Sequence, residues 1–182
     1  MTRSFEIYDN LIDKEMAELF YNFTMESKNW FYGRAATVGD TRFWGQVLYA
    51  NPGPRNFFVD YIEAKFKAVS NLNCVVQTAD LNGQTSGQPG GFHRDVHTHG
   101  RVDSSGIPFA DRFLTLIYYV NSTWDDPRGS TILERPGGIR EEVKFVPGRI
   151  LVFPSAWLHY GDCPESNDLL RITCALKLEI LE

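Results

Sequence analysis

His93-Arg94-Asp95 sets an imidazole and a carboxylate two residues apart. In an extended chain, residues i and i+2 project to the same side, so both side chains can reach one ion. A third ligand must come from elsewhere in the sequence. Of the four histidines, His93, His97 and His99 are clustered, and His159 stands apart, after the apolar run Phe153-Pro154-Ser155-Ala156-Trp157-Leu158. Two histidines and one carboxylate on one face of an octahedron leave three positions open, which suits Fe(II) that must take a bidentate cosubstrate and O2 together. A zinc hydrolase could use the same donors, but it gives no use to Arg171. That arginine lies in Leu169-Leu170-Arg171-Ile172-Thr173-Cys174-Ala175, a strand-like apolar run. Burying a cation is costly unless it meets an anion, and the planar fork of arginine suits a carboxylate. His97 and His99 continue the alternation toward the mouth of the same site. They read as solvated or substrate-loop residues, because neither supplies the carboxylate that the triad needs.

The elements that must position these residues change character along the chain. Asp13 can cap a helix running to about Lys28, with Met16, Leu19, Phe20 and Phe23 as its apolar stripe. A second helix is expected to start near Pro54 and to carry Phe57, Phe58, Tyr61, Ile62, Phe66 and Val69. From Asn73 onward the pattern becomes short strand-like runs separated by turn residues, at 74–81, 112–120, 130–134, 143–146, 149–153 and 170–181. Pro147-Gly148 is a strong turn signal between two of them. Two more strands are expected at 5–8 and 43–49. Two helices followed by a series of strands predict a mainly β, α+β fold, a jelly-roll sandwich with the helices on one face. One domain over 1–182 is expected, with helical support at about 10–70 and the jelly-roll core at about 73–181. Loops at 82–91 and 100–111 flank the histidine cluster, where sites on rigid sheets are usually built.

Composition narrows the partners. A net charge of −5 over 182 residues argues against general affinity for nucleic acid or anionic membrane. The opening Met1-Thr2-Arg3-Ser4-Phe5-Glu6 lacks the apolar stretch of a signal peptide, and no run approaches membrane-span length. Cys74, Cys163 and Cys174 are odd in number and form no CxxC pair, so neither a disulfide framework nor a zinc knuckle is expected. A reducing, cytoplasmic setting follows as the expectation.

The ordered set His93-x-Asp95, His159 and Arg171 resembles the Fe(II)/2-oxoglutarate-dependent oxygenase superfamily, and within it the prolyl 4-hydroxylase-like branch. That branch has a strand similar to Arg112-Phe113-Leu114-Thr115-Leu116-Ile117-Tyr118-Tyr119-Val120-Asn121, then Trp124 and a Gly-Gly-x-Thr-like turn. Here the turn is Arg128-Gly129-Ser130-Thr131, with the first glycine replaced. The run from Pro147 to Phe153 is similar to the strand that leads into the distal histidine. The match extends over roughly 73–180, in order throughout.

The resemblance implies a double-stranded β-helix with Fe(II) on His93, Asp95 and His159. It implies 2-oxoglutarate as cosubstrate, its distal carboxylate on Arg171 and supported by the Tyr119 hydroxyl, with Thr173 lining the pocket. Arg112 would lie near the substrate mouth, O2 would be the oxidant and ascorbate a supporting reductant. The implied reaction hydroxylates a prolyl residue in a protein or peptide, with succinate and CO2 as co-products. Free amino acids or other small molecules, oxidative demethylation of nucleic acid, and a non-catalytic jelly-roll binding module remain as alternatives. Two departures stand out. The tyrosine often found about ten residues before the first ligand is missing, with Leu81 and Asn82 in that area, and the interval from His159 to Arg171 is long.

Overall fold

Ten strands, two α-helices and one 3-10 turn form among residues 4–96 and 109–181, which the computed structural model describes. In order they are β1 (Glu6–Tyr8), α1 (Lys14–Glu26), β2 (Phe31–Arg34), β3 (Phe43–Ala50), α2 (Phe57–Ser70), β4 (Cys74–Gln84), the turn Phe109–Arg112, β5 (Phe113–Tyr119), β6 (Thr131–Arg135), β7 (Ile139–Val143), β8 (Ile150–Pro154), β9 (Leu158–Gly161) and β10 (Arg171–Ile180). Seven strands form an antiparallel sheet in the order β1-β8-β5-β10-β4-β3-β2, and three form a second antiparallel sheet, β7-β6-β9. The result is a jelly roll with its helices on one face, as the sequence implies.

In the large sheet, β5 and β8 carry an apolar core on each face because their side chains alternate. On the outer face Leu116, Tyr118, Cys174, Leu176 and Leu178 pack with Phe20 of α1 and Phe58, Ile62 and Phe66 of α2. The Phe20 and Phe58 rings stack at 4.4 Å. On the inner face Ile117, Tyr119, Leu151 and Phe153 pack with Leu133, Val143, Phe145 and Trp157. Burying each such side chain contributes roughly 1.5–3 kcal/mol, so both faces of β5 and the outer face of β10 are strongly held. That rigidity fixes the inward-facing residues of the site.

The helix boundaries differ from expectation for local reasons. Asp13 precedes α1, but its carboxylate makes no cap bond. It accepts instead from Lys65 at 2.9 Å and from the Tyr61 hydroxyl, tying α1 to α2. Leu19 is 52% exposed, so Phe20 rather than the full stripe enters the core. The second helix starts at Phe57, after Pro54, because the Asn56 side chain accepts from the Phe58 amide at 2.9 Å and caps it. It ends at Asn71 in the left-handed region (φ 54), where the Asn71 amide reaches the Lys67 carbonyl.

Several strand expectations are corrected. The strand expected at 143–146 is β7 at Ile139–Val143 instead, and it reads poorly in sequence because most of this edge strand is exposed. Phe145 lies beyond it, its ring stacked on Tyr119 at 4.6 Å. The loop expected from 82 starts only after Gln84, since Asn82, Gly83 and Gln84 pair with β10 on one side, and Asn82 and Gly83 also with β3 on the other. Arg112 ends the 3-10 turn rather than opening a strand. β2 and β9, each four residues long, were not expected at all. The 100–111 loop falls almost wholly outside the described residues. Among the described residues, no helix is long and apolar enough to cross a membrane.

Candidate active site

β9 lies antiparallel against the segment before Asp95, and this brings the two distant histidines together. The His93 amide donates to the His159 carbonyl at 3.0 Å and the His159 amide returns the bond at 3.0 Å. The Asp95 amide donates to the Ser155 carbonyl at 3.0 Å. Each imidazole is oriented by a carbonyl two residues earlier, with His93 Nδ1 2.9 Å from the Gly91 oxygen and His159 Nδ1 3.2 Å from the Trp157 oxygen. An Nδ1–H donated to those carbonyls leaves the Nε2 lone pair free for a metal. The two Nε2 atoms stand 3.7 Å and 3.6 Å from the Asp95 carboxylate oxygens, and the three ligand atoms lie within 4.8 Å of one another.

The electrostatics favour the ligating forms. Burial pushes the His159 imidazole down to about 4, only partly opposed by Asp95, so the ring is neutral near pH 7. Burial alone would raise the Asp95 carboxyl, yet it is held below the ordinary aspartate value by nearby positive charge and hydrogen bonding. Because His159 is neutral near pH 7, the support there comes from Lys177 Nζ, 3.2 Å away, and the Thr115 hydroxyl, which donates at 2.6 Å. Thr115 is itself fixed by Ser155 at 2.9 Å.

Arg171 is 2% exposed at the start of β10. Its Nε donates to the Gly129 carbonyl at 2.6 Å, Nη1 to Gln84 Oε1 at 2.6 Å and Nη2 to Thr131 Oγ1 at 3.1 Å. All three acceptors are neutral, and no carboxylate of the described residues pairs with it. Three of its five N–H groups are thus engaged and two remain. Burial lowers its pKa, although guanidinium stays charged. Gly161 is required opposite: a Cβ there would sit 2.9 Å from Arg171 Nη1. The altered turn also has a structural account. Gly129 keeps a positive φ of 94° beneath the Trp124 ring, and Arg128, where the first glycine is expected, forms a two-pronged pair with Asp162. The long interval after His159 is tied down by the Asp126 carboxylate, which accepts from the Glu165 amide at 3.1 Å and the Ser166 amide at 2.9 Å.

One cavity of about 330 Å³ joins the Arg171 end to the His93, Asp95 and His159 group. Along β10 its wall is Arg171, Thr173, Ala175 and Lys177, the period-two face of the strand. Five of the sequence-selected residues therefore share it: His93, Asp95, His159, Arg171 and Thr173. Tyr119 is wholly buried, and its hydroxyl donates to Thr131 Oγ1 at 2.8 Å. It stands one hydrogen bond behind the wall and supports the acceptor of Arg171. Arg112 lies outside the wall, its guanidinium 3.5 Å from Glu179 Oε1. His97 and His99 lie outside the described residues. Where the resemblance leads one to expect a tyrosine, β4 presents Asn82 and Gln84, which face Thr173 and Arg171 in register. Gln84, Thr115 and Thr131 are functional candidates that sequence reasoning passed over, and the structure adds Lys177 to them. Counting by twos from Arg171 finds Lys177, whereas Gln84 is hidden by Gly83, which reads as loop.

A Tyr119→Phe variant separates support from direct contact. The geometry predicts a loss of about 1 kcal/mol of folding stability and less than a threefold change in calorimetric binding of 2-oxoglutarate, the cosubstrate that the resemblance implies. A hydroxyl donating straight to the cosubstrate carboxylate would instead cost about 1.5–3 kcal/mol of affinity, tenfold or more.

No family model matches the sequence, and no curated protein matches it. Solved structures do share the fold, and among them are 2OG-Fe(II) oxygenases and prolyl hydroxylases. A prolyl-4-hydroxylase from Pseudomonas putida matches over 100% of this chain and 95% of its own, with a TM-score of 0.64 and 14% identity. The viral collagen prolyl hydroxylase of Paramecium Bursaria Chlorella virus-1, solved with 2OG, matches over 98% and 97%, with a TM-score of 0.67 and 13% identity. The alpha-ketoglutarate-dependent carbocyclase SnoK of nogalamycin biosynthesis matches over 96% and 79%, with a TM-score of 0.66 and 12% identity.

Proposed function

We propose that the protein is an Fe(II)- and 2-oxoglutarate-dependent dioxygenase that hydroxylates a prolyl residue in a protein or peptide. The observation that carries the reading is Arg171, a buried guanidinium with neutral partners and two free N–H groups. It lines the same cavity as two carbonyl-oriented imidazoles and a carboxylate. The donor set fits iron: two imidazole nitrogens and one carboxylate leave room for a bidentate cosubstrate and O2. The free N–H groups fit the distal carboxylate of 2-oxoglutarate.

His93, Asp95 and His159 would hold the ion, with Thr115 and Lys177 orienting Asp95. Arg171, backed by Gln84 and Thr131, would take the distal carboxylate, and Thr173 would flank the bound chain. Iron with 2-oxoglutarate supplies the oxidising chemistry when bound, one atom of O2 entering the substrate as hydroxyl and the other entering succinate as CO2 leaves. The protein's share is to hold both reactants in one orientation and keep water out. His159 and Arg171, 4% and 2% exposed, suit that task. The prolyl substrate is supported by the fold shared with two prolyl hydroxylases and by the run from Arg112 to Asn121. Three free, buried cysteines suit a reducing compartment such as the cytoplasm.

The test supplies Fe(II), 2-oxoglutarate and labelled O2 to purified protein with proline-containing peptides and free L-proline. Succinate should form in step with a peptide carrying one labelled oxygen on proline, located by fragmentation mass spectrometry. Turnover of free proline alone would move the reading to a small-molecule hydroxylase. Formaldehyde from methylated nucleic acid would replace the prolyl reading. Iron binding without succinate under any substrate would leave a binding module.

A further inference from the structure

The cavity has a second cationic end, away from Arg171, where Arg34 has no part in the proposed metal and cosubstrate sites. Arg34 closes β2, an edge strand whose arginine could extend freely into water. Instead its side chain crosses β3 at Gly45, where a Cβ would meet Arg34 Cδ at 2.6 Å. It then reaches Asp80 on β4 with both prongs, Nη2–Oδ2 at 2.8 Å and Nη1–Oδ1 at 3.2 Å. Asp80 is 9% exposed, and the Arg34 side chain is 28% exposed. The guanidinium is therefore fixed on the wall with donors to spare. Across the sheet Asp80 is in register with Ala175, whose small side chain leaves space, and Lys177 follows on the same face.

Distance separates this end from the cosubstrate anchor. Ala175 is four residues along β10 from Arg171, which is about 13 Å at roughly 3.3 Å per residue, longer than a five-carbon diacid. Charge supports a second anion. Among the described residues of the wall, Arg34, Arg94, Arg171 and Lys177 face Asp80 and Asp95, an excess of two positive charges. The two charges of Fe(II) and the two of 2-oxoglutarate cancel, so the excess survives loading. It is local, in a chain of net charge −5, and a walled cleft concentrates such a field.

We propose that Arg34, assisted by Lys177, is the substrate-recognition end of this cavity, and that the substrate carries a carboxylate close to the carbon that is oxidised. The inference rests on reading the cavity as an Fe(II)/2-oxoglutarate site. Arg34 is a specificity residue: it pairs with the substrate's carboxylate, and Asp80 fixes its direction. The carboxylate belongs either to a free amino acid or to a peptide, as an acidic neighbour or a C-terminus.

The test measures equilibrium binding by calorimetry to the anaerobic protein loaded with Fe(II) and 2-oxoglutarate. Probes come in pairs: L-proline and L-prolinamide, acetyl-Gly-Pro-Glu-amide and its Gln counterpart, and acetyl-Gly-Pro-Gly as acid and as amide. In at least one pair the acid should bind tenfold or more tightly than its neutral partner, and the pair that responds identifies the source. Arg34→Ala would strand Asp80 without a partner, so the decisive variant is Arg34→Gln with Asp80→Asn. It should bring the preference within twofold while 2-oxoglutarate affinity stays within twofold and the fold melts cooperatively. A role limited to pinning β2 would leave the preference intact. Retained preference in the double variant, or no acid preference in any wild-type pair, overturns the inference. Loss of the Fe(II)–2-oxoglutarate absorption band in the wild type would strike the underlying reading instead.

Discussion

Asp95→Ala should eliminate the visible absorption band that Fe(II) and 2-oxoglutarate produce together without oxygen, and turnover with it. Asp95 is the anionic member of the three groups whose ligand atoms converge within 4.8 Å. It is also the point on which Thr115 and Lys177 close. Removing a residue that only orients a ligand typically costs 10–100-fold in metal affinity, so losing the carboxylate should exceed that. Thr115→Val sets the scale, since it removes one hydrogen bond to the ligand and should fall in the 10–100-fold range. His97→Ala and His99→Ala should leave the band in place. A full band in Asp95→Ala would show that the ion, if bound, sits elsewhere.

Arg171→Ala should weaken 2-oxoglutarate binding by at least tenfold while Fe(II) affinity changes little. Losing charge-assisted bonds to one carboxylate costs roughly 2–4 kcal/mol, taking about 1.5–3 for each bond and allowing for non-additivity. Arg171→Lys should not restore the affinity. A lysine cannot meet Gln84 Oε1, the Gly129 carbonyl and Thr131 Oγ1 together and still present a planar pair of donors. Near-ultraviolet circular dichroism would confirm that the core beneath Tyr119 and Phe145 is intact. Unchanged cosubstrate affinity would remove Arg171 from the site.

What could be read from sequence depended on whether a signal is local. His93 and Asp95 are two residues apart, and an extended segment of any fold puts them on one side. Arg171 and Thr173 likewise share a strand face. The outer and inner cores were legible as the change from helical stripe to alternation near Asn73. Arg34 and Asp80 meet only because β2, β3 and β4 are neighbours, and nothing in either local sequence announces the pair. The Gln84 amide was masked by Gly83, which serves as close-approach backbone beside Trp30, Trp44 and Leu170 rather than as a loop residue. Tyr118 and Tyr119 are adjacent, so composition could not say which faces the inner core. Pairing assigns Tyr119 there, opposite Thr173.

The two histidines are joined by a pair of backbone hydrogen bonds between segments far apart in the chain, outside any long strand. An ion held by both, and by Asp95, would act as a cross-link that exists only in the folded chain, because the three ligands converge only there. Occupancy then enters the folding equilibrium itself. At an ion concentration one hundred times the dissociation constant, the native state gains about 2.7 kcal/mol. Chelation should lower the melting temperature and admit protease first near the 85–96 segment, so cellular iron supply would govern how long the protein persists as well as how fast it works.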